Sequence, residues 1–178
     1  VQNFMNYQLT EQMPEYFDEF ERMLFHLPLI GSAFKKIYYN STLKRPSSEF
    51  IPIDQFYVSY YATDLRNADR YTHVIYKSPV DLSHDMRAGV YKEMELPTPS
   101  QKGITSFAEK MDTIIGLSPS FDNDPQYVLL EQHCYLDIED SDVALPYIVT
   151  VEEQSKTILS IRRNYEPNDP NKEKRSHF

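Results

Sequence analysis

From Gln126 to Ile138 the chain alternates with a period of two: Val128, Leu130, Gln132, Cys134, Leu136 and Ile138 fall on one face, and Leu129, Glu131, His133, Tyr135 and Asp137 on the other. That is the period of a β-strand and of nothing else regular. Two further strand-like runs follow, Pro146 to Glu152 and Thr157 to Arg163, and Glu153–Lys156 between them is short enough for a tight hairpin. The last third is therefore expected to be a three-stranded antiparallel meander, and the rest of the chain must supply what packs against it.

Upstream the signals are mixed. Met13, Tyr16, Phe17, Phe20, Met23, Leu24 and Leu27 recur at helical spacing, which predicts a helix over Thr10–Leu27, stopped by Pro28. Its acidic residues crowd the first turns, where the positive end of the helix dipole favours them. Ala33–Asn40, Phe50–Tyr61 (broken by Pro52) and Tyr71–Tyr76 read as extended segments, with a polar connection over 62–69 that has room for one helical turn. Ser78-Pro79-Val80-Asp81 is a helix start: Ser78 caps, Pro79 suits the first helical position, and Asp81 can bond back. That helix is expected to run to about Gly89. Leu96–Gly103 reads as a loop, and a second short helix is expected over Thr105–Gly116, with Phe107, Met111, Ile114 and Ile115 on one side. The fold class expected is α+β, with an N-terminal helix on a small antiparallel sheet, linking helices, and the C-terminal meander.

Charge and composition narrow the chemistry. A formal net charge of −9 does not suit a surface that grips nucleic-acid phosphates. With 14 Tyr and 10 Phe, the chain is rich in rings that pack on sheet faces and at half-wet interfaces. Four Gly against 12 Pro is poor material for a phosphate-cradling loop. The single cysteine, Cys134, permits no disulfide within the chain and fits a reducing compartment. No apolar run approaches the roughly 20 residues of a membrane span, and no signal peptide is expected.

Catalytic and metal-binding patterns are weak. His133 adjoins Cys134, but neighbouring strand residues point to opposite faces, so the pair cannot work as base and nucleophile; Cys134 reads as a core thiol. His26, His73, His84, His133 and His177 are scattered, without zinc spacing. Asp137–Asp142 resembles a calcium-loop fragment but lacks the central Gly and the distal Glu. Asp122 and Asp124 lie close together, as some pairs must among 27 acidic residues. No cofactor and no metal site is expected.

A family resemblance is carried by a series of segments in order. Met5–Leu9 leads into the acidic–aromatic helix and then Leu29-Ile30-Gly31-Ser32-Ala33-Phe34-Lys35-Lys36-Ile37-Tyr38-Tyr39. Glu49–Val58, Ala62–Leu65 and Thr72–Ile75 follow, and near the end stand Leu145–Val151 and Leu159–Tyr165. The series resembles the portal (head–tail connector) proteins of short-tailed bacteriophages and related prophages over nearly the whole chain.

The resemblance implies a structural subunit of a closed homo-oligomeric ring, dodecameric in that family, around a DNA channel used in packaging and ejection. Residues 1–77 would be part of the wing, 78–125 the first stem helix and a connecting helix, 126–165 a clip-like meander, and 166–178 a polar connection to a second stem helix, channel loop and crown expected beyond Phe178. It implies no enzymatic activity. The implied partners are sister subunits, a tail adaptor, the packaging motor (terminase), capsid and scaffold, and double-stranded DNA that passes without specific binding. No membrane is involved; the location is the portal vertex of the virion, after assembly in the host cytoplasm. An acidic channel wall would let a polyanion slide. A clip sheet with Tyr and Ile outward would face neighbours, with Tyr135, Tyr147, Ile148, Arg162 and Arg163 as the candidate subunit or adaptor interface, the two arginines pairing with acids of the adjacent subunit. The alternatives are a small metal-dependent hydrolase built on clustered carboxylates, or an isolated phage adaptor module.

Overall fold

A computed structural model describes residues 1–40, 43–99, 109–110, 113–114, 116, 124–138 and 142–178. Among them the fold is α+β: three helices and two antiparallel sheets, of two and five strands. The chain divides into two compact units, 1–56 with 176–178, and 57–175.

The first unit begins with α1 (Gln2–Tyr7) and a π-helical turn (Gln8–Gln12), then α2 (Glu15–Ile30). Pro28 lies inside α2 and does not end it. A proline removes one N–H bond and crowds the preceding turn, but the chain continues helically until Gly31, whose φ of 83° gives the left-handed cap, its N–H donating to Leu27 O at 2.8 Å. β1 (Phe34–Asn40) and β2 (Arg45–Ile51) pair as a two-stranded antiparallel ribbon, Phe34 opposite Ile51 and Asn40 opposite Arg45. The ribbon takes in residues 45–49, where Pro46 and two serines had given no strand signal. The expected extended run Phe50–Tyr61 is in fact the end of β2, a 3-10 turn (Ile53–Gln55) and the short strand β3 (Phe56–Val58).

α2 is tied to β2 by polar bonds. Arg45 Nη1 lies 2.8 Å from Gln12 O and from both carboxylate oxygens of Glu15, and Glu19 Oε2 accepts from Phe50 N at 2.7 Å. Burial pushes the Glu15 carboxyl up, but the Arg45 bonds and charge outweigh it and hold the group below its usual range. Met13, Phe50, Ile51 and Phe56 make the small buried core, with Phe56 packed between the rings of Phe34 and Phe178 at 4.3 and 4.7 Å.

The second unit is built on the five-stranded sheet, in the order β3-β4-β5-β6-β7, with β4 Arg70–Lys77, β5 Tyr127–Leu136, β6 Leu145–Glu152 and β7 Ile158–Arg163. The expected meander is present as β5–β6–β7, but it is not a separate three-stranded sheet. β4, expected in the sheet of the first half, pairs along its whole length with β5, Arg70 opposite Cys134 and Lys77 opposite Tyr127. Its alternation fits either neighbour, and the pairing is a long-range choice. The connection 62–69 forms turns and no helix.

α3 (Pro79–Arg87) starts as its sequence dictates: Ser78 Oγ accepts from Asp81 N at 3.1 Å and donates to Asp81 Oδ2 at 2.7 Å. It lays Leu82 against Tyr91, Leu129 and Leu159, the apolar centre of this unit. The helix expected over Thr105–Gly116 falls largely outside the described residues, as do Asp122 and the middle of the Asp137–Asp142 run. No helix among the described residues is long and apolar enough to cross a membrane.

Candidate subunit interface

The register of β5–β7 sorts the five candidate residues onto two faces. Ile148 stands opposite His133 and Arg162, while Tyr147 stands opposite Cys134 and Arg163, so Ile148 and Arg162 share one face and Tyr147 and Arg163 the other. Tyr135 lies two residues from His133 and joins the first face. Tyr147 and Ile148 are buried, at 5% and 8% exposure, which corrects the expectation that they point outward. Tyr147 packs edge-on against Tyr165, 6.2 Å between centroids. Tyr135, Arg162 and Arg163 are exposed.

Beneath Arg162 lies a polar network that the alternating pattern placed on one face but did not mark as buried. Glu131 and His133 are 5% and 1% exposed. Glu131 Oε2 sits 3.7 Å from Arg162 Nη2 and Oε1 is 3.2 Å from His133 Nε2. Arg162 is thus engaged within its own chain while its side chain stays 49% exposed. His133 stacks on Tyr71 at 4.6 Å, and its Nδ1 lies 3.5 Å from Asn164 Nδ2. Burial, the Glu131 charge and Tyr135 push the Tyr71 phenol up to about 12, so it stays protonated at neutral pH.

The network is sealed by the chain's own C-terminal segment. Lys174 Nζ donates to Leu65 O and Ala68 O, both at 2.9 Å, and lies over the rings of Tyr71 and Tyr135 at 5.2 and 5.6 Å. Burial lowers the Lys174 ammonium from its usual value, against the opposing pull of Asp69 and Asp64. The one sequence signal for this network was the spacing Glu131-x-His133-x-Tyr135 on one strand face. A polar strand face ordinarily meets water; here a segment some forty residues downstream covers it, which no local pattern announces.

Cys134, on the opposite face, is half-buried, and burial pushes its thiol up, consistent with an unreactive side chain. Among the described residues no three His, Cys, Asp or Glu are grouped to hold a metal.

The sequence matches no protein-family model and no curated protein.

A second surface belongs to the first unit. α2 has no buried residue in its 16. Tyr16, Glu19, Met23 and His26 turn toward partial burial, while Phe17, Phe20, Leu24 and Leu27 form an exposed stripe at spacings of three and four, with Phe25 and Leu29 beside it. Lys35 Nζ lies over the Tyr16 ring at 3.8 Å and 5.1 Å from the Phe20 ring centroid.

Proposed function

We propose that the chain is a structural subunit of a phage portal ring, without catalysis, in which surfaces for sister subunits carry the function. The observation that supports this most is α2: a helix of 16 residues, none buried, exposing six large apolar side chains. A helix with an apolar stripe normally spends it on a core, and contiguous exposed apolar surface of this kind marks an interaction site. Ring closure supplies a neighbour for every copy through contacts between unlike patches. The α+β class and the order of sequence segments agree with the same reading. Tyr135, Arg162 and Arg163 are the exposed members of the clip-like set, and their exposure supports a contact with a neighbour or an adaptor.

The test is assembly of the full-length gene product, followed by sedimentation and negative-stain electron microscopy. Closed rings are expected, and Leu24→Asp with Phe25→Asp is expected to leave folded monomers by circular dichroism. A full-length product that remains monomeric at every concentration would sink the reading.

A further inference from the structure

Asn164, 1% exposed and directly after β7, joins three parts of the second unit. Its backbone N–H donates to Pro146 O at 2.9 Å, and its carbonyl accepts from Arg175 N at 3.0 Å. Its side-chain nitrogen lies 3.3 Å from Arg175 O and 3.5 Å from His133 Nδ1. A backbone carbonyl can only accept, so the amide nitrogen and not the oxygen must face Arg175. The same nitrogen then donates to Nδ1, which requires a neutral imidazole with its proton on Nε2. That proton points at Glu131 Oε1, 3.2 Å away.

We infer that His133, Asn164 and the backbone of Arg175 form a proton-sensitive latch that holds the segment from Asn164 to Arg175 on the five-stranded sheet. When Nδ1 takes up a proton, the imidazole becomes an imidazolium with donors at both nitrogens, and the Asn164 amide faces a donor with a donor. Turning the amide to offer its oxygen sets that oxygen against the Arg175 carbonyl. The first arrangement loses the Nδ1 bond and the second loses the Arg175 bond; where the amide turns to accept from the imidazolium, the Arg175 backbone loosens. Histidine is the side chain whose charge changes most readily between about pH 5 and 8.

The groups around the ring pull in both directions. Glu131 on its own strand favours the imidazolium. Burial and the cations Arg162 from β7 and Lys174 from the C-terminal segment oppose it. Tyr135 on the same strand and Tyr71 and His73 from β4 are the titratable groups that the register sets on this face, and β6 places Ile148 opposite His133 and Thr150 opposite Glu131. Lys174 on the 65–68 carbonyls and the Arg175–Glu166 ion pair do not depend on His133, so the release is a local opening and not loss of the fold.

The experiment is hydrogen–deuterium exchange on the full chain, reading the Arg175 amide, beside an NMR titration of the His133 ring nitrogens. Corrected for the intrinsic rate, Arg175 protection is expected to fall at least about tenfold from about pH 7.5 to about pH 5, with the midpoint of the His133 titration. Asn164→Ala is expected to exchange fast at both pH values, and His177→Gln, two residues on, to respond as the unaltered protein does. Unchanged protection, a response that vanishes in His177→Gln, or a midpoint that departs from that of His133 overturns the latch. Should Asn164→Ala fail to fold, the ring nitrogens decide. Nε2 protonated and Nδ1 bare at neutral pH supports the latch, and Nδ1 protonated there refutes it.

Discussion

Helix α2 of the first unit and the five-stranded sheet of the second treat their side chains differently. In the first, a helix rich in phenylalanine and leucine leaves them exposed and is held to its ribbon by charged and polar bonds from Arg45 and Glu19. In the second, the sheet buries not only leucines but also Glu131, His133, Thr150, Glu152 and Asn164. Burying a polar group costs free energy unless it is bonded, and Glu131, His133 and Asn164 meet that cost by bonding to one another and to Arg162. The contrast separates two roles. Helix α2 leaves its apolar stripe outside a core, whereas the five-stranded sheet takes polar groups into one.

Deleting apolar groups in each unit breaks or sharpens that contrast. Leu129→Ala removes a fully buried side chain from the cluster of Leu82, Tyr91 and Leu159, and unfolding in urea should show a loss of about 2–5 kcal/mol. The same truncation at Leu24, 50% exposed on α2, is expected to change the stability of the isolated chain by less than about 0.5 kcal/mol. A large loss at Leu24 in a monomer would mean that α2 is already packed, and the contrast would fail.

A smaller effect is expected at Glu152, which is buried at the β6–β7 turn and accepts from Gln154 N at 2.9 Å and from Ser155 N and Oγ, each at 2.6 Å. Glu152→Ala leaves these donors without their acceptor and should cost about 1–3 kcal/mol by chemical denaturation. Burial pushes the Glu152 carboxyl up, but the Ser155 and Gln154 bonds outweigh it and hold the group below its ordinary value of 4.5. The folded state therefore binds the proton less readily than the unfolded one. The contribution is complete above about pH 4.5 and is lost as pH falls through the folded value. Stability measured from pH 6 down to pH 3 should fall less steeply in Glu152→Ala than in the unaltered chain.

Smaller again is the cap of α3. Ser78→Ala removes the acceptor for Asp81 N and should cost about 1 kcal/mol. At the low end, Arg45→Ala in the first unit breaks a partly exposed fork to Glu15 and is expected to cost about 1 kcal/mol or less. Thermal scans of both variants check the order.

Local chemistry was legible in the sequence wherever neighbours along the chain decide the outcome. The Ser78–Asp81 cap, the alternation of β5, the 153–156 turn and the opposed faces of His133 and Cys134 all follow from backbone geometry within a few residues. Legibility stopped at pairing and covering. The Pro28 stop failed because one lost bond in an exposed helix is affordable when Gly31 offers a better end three residues later. Tyr147 and Ile148 were read as outward because a strand pattern states which residues share a face but not which face meets water.

By itself, then, the order of amino acids determined the class of the fold, most of its elements and the sorting of side chains within each strand, since periodicity and capping are short-range properties. Only the tertiary structure decided that β4 joins β5, that the Glu131–His133–Asn164 face is roofed by Lys174 and Arg175, and that α2 is left with an exposed apolar stripe. Those outcomes depend on which distant segments meet, and a hydrogen bond or a buried ring says nothing in advance about where along the chain its partner lies.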